Sequence, residues 1–362
     1  RQASCLHEIS YRACFKPQLP RFFIELLTKE GDVVYDPFAG RGTTIIEAAL
    51  LNRKVVSNDI NPISEILSKA RLAAPVFADV KKRLEEIPFD RNLKADIDLS
   101  MFYHKDTLSE ILSLKKYLKD RQDGGNEDDL DRWIRMIATN RLTGHSKGFF
   151  SVYSMPPNQA VSQERQIKIN EKLNHVPQYR NVKELILKKT ETLIKDLSAS
   201  DIAALKNASR DAKFLQSDAG YTPYICDNSV NLVVTSPPFL DIVQYAQDNW
   251  LRLWFNSIPK NETAAKITMS KNLNDWRKVM SKVFDELYRV IKYGGFVAFE
   301  VGEIKNGKIK LDEEILPIGI AAGFSCKAVI INKQEFTKTA NIWGVKNNSK
   351  GTNTNRIVLF QK

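Results

Sequence analysis

Asp32-Val-Val-Tyr-Asp36-Pro37-Phe-Ala-Gly40-Arg-Gly42-Thr43-Thr44, followed by the apolar-rich Ile45 to Leu51 and by Lys54-Val-Val-Ser-Asn-Asp59, reads as strand, glycine turn, helix and strand. Two short β-branched runs joined by a helical crossover form a parallel βαβ unit, so the spacing predicts an α/β fold with a Rossmann-like, doubly wound sheet. A glycine pair between strand and helix lets the backbone pass close to a ligand, and the helix N-terminus adds positive potential there. Alone, Gly40-x-Gly42 fits an ordinary tight turn as well as it fits a nucleotide-like cofactor. Two carboxylates favour the cofactor. Asp36, directly before the turn, can hold an ammonium group, and Asp59, at the end of the second strand, can accept ribose hydroxyls. Asp59 also suits an N-cap for a helix expected over Ile63 to Leu72, with Pro62 at its start.

From about Pro75 to Lys213 strand-like runs become scarce and helical spacing dominates, as in Leu130, Trp133, Ile134 and Ile137. Strands resume at Val230 to Thr235, Gly295 to Val301, Phe324 to Ile331 and Arg356 to Phe360, with helices over Val243 to Phe255 and Trp276 to Ile291 between them. The expected organisation is therefore a catalytic domain in two parts, 1–74 and 214–362, interrupted by a largely helical insertion, 75–213. The whole chain has 362 residues, 43% hydrophobic and 27% charged, the balance of a globular protein with a sizeable core. No apolar run of about 18 residues is present and Arg1 to Ser10 lack the apolar stretch of a secretory signal, so a cytoplasmic protein without membrane attachment is expected. Cys5, Cys14, Cys226 and Cys326 form no C-x-x-C pair, so no metal site is expected. A formal charge of +11 favours a polyanionic partner such as nucleic acid.

The second chemical signal is Thr235-Ser236-Pro237-Pro238-Phe239 at the end of the Val230 run. Ligands of open parallel sheets sit at the carboxyl ends of strands, and two prolines there fix the neighbouring carbonyls as acceptors beside an aromatic face. By itself Pro-Pro-Phe also makes a rigid turn with a core phenylalanine. Taken together, the segments resemble the amino-group DNA methyltransferases, which act on N4 of cytosine or N6 of adenine. Asp36-Pro-Phe-Ala-Gly-Arg-Gly-Thr43 is similar to that family's cofactor motif and Ser236-Pro-Pro-Phe239 to its catalytic motif. Phe15-Lys16-Pro17 and Ser217-Asp218-Ala219 are similar to its flanking cofactor segments.

The resemblance implies S-adenosylmethionine as cofactor, held by Asp36, Pro37, Phe38, Gly40, Gly42, Thr43 and Asp59 with help from Lys16 and Asp218. It implies DNA as substrate, with a flipped-out base held by Ser236, Pro237, Pro238 and Phe239, and it allows a cognate restriction endonuclease as a partner. Ser at the first motif position is more typical of the family's N4-cytosine enzymes, which makes N6-adenine the alternative. The exocyclic amine is a poor nucleophile; Ser236 and the Pro237 carbonyl can orient it, with Phe239 stacked on the base. The reading asks for no strong general base. Methylation at carbon 5 of cytosine needs a cysteine thiolate usually placed after a proline, and no cysteine here follows one. An RNA base-amine methyltransferase usually has Asp where Ser236 stands; a non-catalytic DNA-binding subunit would not need intact motifs.

The insertion precedes Ser217 rather than lying between that segment and the catalytic motif, a departure from the family's arrangement of target recognition. Residues 141–190 nevertheless hold nine Lys or Arg against three Glu. They are expected to meet phosphates, with Asn158 and Gln159 as candidate readers of base edges. The polar stretch Lys346 to Arg356 is read as a hairpin loop that could grip the DNA backbone.

Overall fold

Parallel strands covered on both faces need consecutive rather than alternate apolar residues, which is how Val33–Asp36 (β1), Lys54–Asn58 (β2) and Val230–Thr235 (β4) are built. In the computed structural model, which describes residues 3–11, 14–155, 159–238, 245–259, 272–304, 309–333 and 354–362, these join Lys213–Leu215 (β3), Ile291–Val301 (β5), Ser325–Lys333 (β6) and Thr354–Gln361 (β7). The seven strands run in the order β3-β2-β1-β4-β5-β7-β6. All pairings from β3 to β5 are parallel, whereas β7 pairs antiparallel with both β5 and β6. The chain thus winds outward from β1 in one direction and from β4 in the other. A sheet that reverses its winding opens a crevice at the carboxyl ends of the two strands where it does so.

This sheet belongs to one of two compact units, made of residues 15–60, 211–242 and 268–362. Its helices are Gln18–Leu27 (α1), Thr43–Leu50 (α2), Leu273–Val290 (α3) and Leu311–Ala321 (α4). α3 buries Trp276, Met280, Val283, Phe284 and Leu287 against the sheet; each large apolar side chain contributes roughly 1.5–3 kcal/mol. Gly319 of α4 lies so close to β7 that an added Cβ would stand 2.4 Å from the Phe360 ring. Gly319→Ala is expected to destabilise the unit by about 1–3 kcal/mol, to be checked by denaturant unfolding.

The other unit comprises residues 1–14, 61–210 and 243–267, and is helical. Trp133, Ile134 and Ile137 are fully buried on Asp129–Arg141, whose start is fixed by a capping box between Asp128 and Asp131. The helix expected over Ile63 to Leu72 is an α-helix to Lys69 that tightens to a 3-10 turn over Ala70–Leu72. Asn61, not Asp59, closes its first turn, its Oδ1 accepting from Ile63 N at 3.1 Å. The expected helix Val243 to Phe255 is seen as two shorter ones, Tyr245–Asp248 and Trp250–Phe255. Among the described residues no helix is long and apolar enough to cross a membrane.

Candidate functional site

The carboxyl ends of β1, β2 and β4 bring the two sequence motifs onto the same edge of the sheet, because β1 lies between β2 and β4. After β1 the chain turns through Gly40 at φ +52° and Gly42 at φ +75°, backbone angles that a side chain would strain. Gly42 is the residue before α2, and its carbonyl accepts from Ile46 N. The turn is held from β2: Asp59 Oδ2 accepts from Gly40 N at 2.7 Å, and Ala39 N donates to the Asn58 carbonyl at 3.0 Å. Asp59 therefore shapes the glycine turn itself.

Asp36 is 1% exposed. Its Oδ1 accepts from Thr235 Oγ1 at 2.6 Å and from Phe38 N at 3.1 Å, which ties the glycine-turn motif to the residue immediately before Ser236. Burial pushes its carboxyl up to about 7 against the downward pull of these hydrogen bonds. Thr44 Oγ1 donates to the Val234 carbonyl at 3.0 Å, so the first turn of α2 is fastened to β4 as well. Pro37 and Thr43 are buried, and Phe38 packs partly against the sheet core. Lys16 stands exposed just before α1. Asp218 is also exposed, and its Oδ1 accepts from Gly220 N at 2.8 Å.

Three residues that sequence reasoning passed over organise this edge. Asn58, fully buried, donates through Nδ2 to the carbonyls of Pro37 (3.3 Å) and Ser217 (3.0 Å), and its Oδ1 accepts from Ser217 N at 2.9 Å. It thereby staples the glycine turn to the segment carrying Asp218. Replacing it by alanine leaves those buried groups unpaired, so Asn58→Ala is expected to cost about 1–3 kcal/mol and to lower the thermal midpoint. Trp276 Nε1 of α3 donates to the Pro238 carbonyl at 3.2 Å and fixes the proline pair. Glu300 on β5 follows Phe299, which pairs with Thr235, and so comes up beside Ser236. Its carboxyl is 6% exposed; burial raises it to about 7, and the neighbouring Ser236 side chain draws it down. Only Asn58 carried any signal in the sequence, as an amide beside Asp59; Glu300 and Trp276 depend on strand and helix pairings across the chain.

Ser236 and Pro238 are half-buried and Pro237 is buried. Phe239 lies outside the described residues, as do Asn158 and most of the Lys346 to Arg356 stretch. In the helical unit, Gln159 lines a cavity of about 520 Å³ together with Arg165, Gln247 and Trp250.

A family model described as DNA methylase matches residues 3–68. The chain is 26% identical over 260 residues to the Type II methyltransferase M.MvaI of Kocuria varians, covering 64% of this chain and 52% of that protein. It is 23% identical over 276 residues to the Type II methyltransferase M.BsoBI of Geobacillus stearothermophilus, covering 70% of this chain and 53% of that protein. The chain thus spans about half the length of these curated relatives. Among solved structures, an S-adenosylmethionine-dependent methyltransferase from Methanosarcina mazei aligns over 94% of this chain and 96% of its own, with 10% identity and a TM-score of 0.38.

Proposed function

We propose, because this chain belongs to the amino-group DNA methyltransferase family, that it methylates an exocyclic base amine in DNA, namely N4 of cytosine. The observation that carries the reading is the hydrogen bond from Thr235 to Asp36, which joins the two motifs at one edge of the sheet. S-adenosylmethionine is the cofactor, and when bound it supplies an electrophilic methyl group. The donor set suits it: Asp36, Asp59 and Asp218 are carboxylates near the glycine turn, and the molecule offers an ammonium group and ribose hydroxyls to such acceptors. In this reading Asp36 holds the ammonium, Asp59 keeps the turn open while facing the ribose, and Asp218 lies toward the adenine. Lys16, Pro37, Phe38, Gly40, Gly42 and Thr43 complete the surface.

The base, rotated out of the helix, meets Ser236, Pro237, Pro238 and Phe239. In this reading Ser236, brought beside Glu300 by the β4–β5 register, turns its hydroxyl proton toward that carboxylate, which leaves the serine oxygen as an acceptor for an N–H of the base amine. As the amine nitrogen forms its new bond, its proton moves to Ser236 Oγ while the serine proton moves to the Glu300 carboxylate. The buried glutamate adds a proton acceptor that the motif alone does not announce. Ser236 at the head of the motif favours cytosine; N6-adenine is the second reading.

Incubation of the protein with labelled S-adenosylmethionine and mixed-sequence duplex DNA, followed by nucleoside mass analysis, tests the assignment. N4-methylcytosine is the expected product. N6-methyladenine would overturn the choice of base, and label in RNA but not in DNA would overturn the substrate.

A further inference from the structure

Several arginines that pack inside the helical unit are matched by carboxylates. Arg83 pairs with Asp128 and Asp131, Arg121 with Asp131, and Arg135 with Glu127, at 2.6–2.8 Å. Among the described residues the buried Arg252 has no such pair, its guanidinium donating to Asn249 Oδ1 and the Ser10 carbonyl, and nor do Arg141 and Arg180. Both are partly buried, yet among the described residues neither has a carboxylate within ion-pair distance. Burying a guanidinium without a counter-charge in contact costs several kcal/mol, and among the described residues neither of these two cations has one.

Both side chains meet one loop, Arg180 through hydrogen bonds and Arg141 through an aromatic ring. Arg180 Nη1 donates to the carbonyls of Ser146 (3.1 Å) and Phe149 (2.6 Å). The Arg141 guanidinium lies 4.2 Å from the centre of the Phe149 ring, its Nη2 donates to Asn140 Oδ1 at 2.9 Å, and its buried Nε–H has no acceptor among the described residues. Burial lowers both groups from the usual arginine range. For Arg141, to about 10, neighbouring Arg252 adds to the effect and Glu8 offsets part of it. The loop is set in advance. A Cβ on Gly144 would meet the Phe149 ring at 2.5 Å, and Ser154 N donates to the Gly144 carbonyl at 3.0 Å. Ser146 and Lys147 at its tip are exposed, and Gly148 N donates to Ser146 Oγ at 3.3 Å. Gly148 leaves space beside Arg141, since an added Cβ would lie 4.0 Å from Nη1.

We propose that Arg141, Arg180 and Lys147, set around the Gly144–Phe149 loop, form a clamp for adjacent backbone phosphates of duplex DNA. The proposal rests on the DNA reading above and names where the helical unit would meet its substrate. A phosphodiester supplies the missing negative charge, its oxygens fit guanidinium and ammonium donors, and contacts of this kind position a protein on DNA without reading sequence.

Fluorescence anisotropy of the full chain with labelled mixed-sequence duplex, repeated over a range of salt, tests it. Each lost phosphate contact lowers the slope of log affinity against log salt by about 0.9. Lys147→Ala, a change at an exposed tip that leaves folding intact, is expected to weaken binding roughly threefold to tenfold and to reduce the slope by about one contact. Arg141→Gln with Arg180→Gln is expected to reduce it by about two, with cofactor affinity by titration calorimetry unchanged as the check on folding. Wild-type binding with a salt slope that none of these variants alters overturns the clamp and leaves the DNA reading standing. A wild-type chain that binds no duplex even at low salt, or that prefers single-stranded RNA, overturns both.

Discussion

Ser236→Ala is expected to lower kcat for methyl transfer by about a hundredfold or more, with cofactor affinity little changed. In the proposed mechanism the serine oxygen accepts the amine proton and the serine hydroxyl passes its own proton to Glu300, which the β4–β5 register places beside it. Alanine removes both. Glu300→Gln keeps the size of the side chain and removes only the carboxylate, so it separates relay from packing. In the wild type the glutamate accepts a proton only when ionised, and its burial holds it at about 7. At saturating substrates, kcat is therefore expected to climb as pH rises through that value and to level off above it. In Glu300→Gln the rate should be low and flat across the same range. A variant that kept both the wild-type rate and the wild-type pH profile would falsify the relay and leave Glu300 as a buried packing group.

The parts of the molecule that could be read from the sequence are those fixed by neighbours in the chain. Asp32 to Asp59 announce β1, the glycine turn, α2 and β2 because local patterning and local turn chemistry agree over a short span. The strands at 230–235, 295–301, 324–331 and 356–360 were legible as strands for the same reason, to within a few residues of β4, β5, β6 and β7. Their order was not. That β7 enters antiparallel between β5 and β6 depends on pairings such as Ala298 with Leu359, which no local signal encodes. The same limit applies to the site. Asp36 and Ser236 stood out as motif residues, but the contact between their motifs is made by Thr235, and Glu300 reaches Ser236 only through the β4–β5 register. Asp59 was read as a ligand carboxylate or a helix cap. In the structure it first satisfies Gly40 N, a demand created by the left-handed glycine.

Asp36→Asn is expected to raise the dissociation constant for S-adenosylmethionine tenfold or more at pH 8, while raising the thermal midpoint of the cofactor-free protein at the same pH. The two effects have one origin. Asp36 is sealed behind Thr235 and the backbone of Phe38, and burial moves its carboxyl from the usual value near 3.8 to about 7. A carboxyl that holds its proton more tightly when folded favours the folded state at low pH. That contribution is fully present below about pH 4, declines as pH rises towards 7, and is absent above it. At pH 8 the wild type therefore carries a buried charge that it would shed on unfolding, and the neutral amide removes this cost while its carbonyl still accepts from Thr235 and Phe38 N. The charge has a use if Asp36 is the partner of the cofactor's ammonium group. Cofactor affinity in the wild type should then fall as pH drops below about 7, by up to about tenfold per unit, as the carboxylate is neutralised. Titration calorimetry between pH 6 and 8, beside thermal unfolding of both proteins, reads both halves. An affinity that is independent of pH and unchanged in Asp36→Asn would remove Asp36 from cofactor binding and leave it as a tie between β1 and β4. A loss of affinity together with a gain in stability would identify it as a group kept charged, at a cost to the fold, for its ligand.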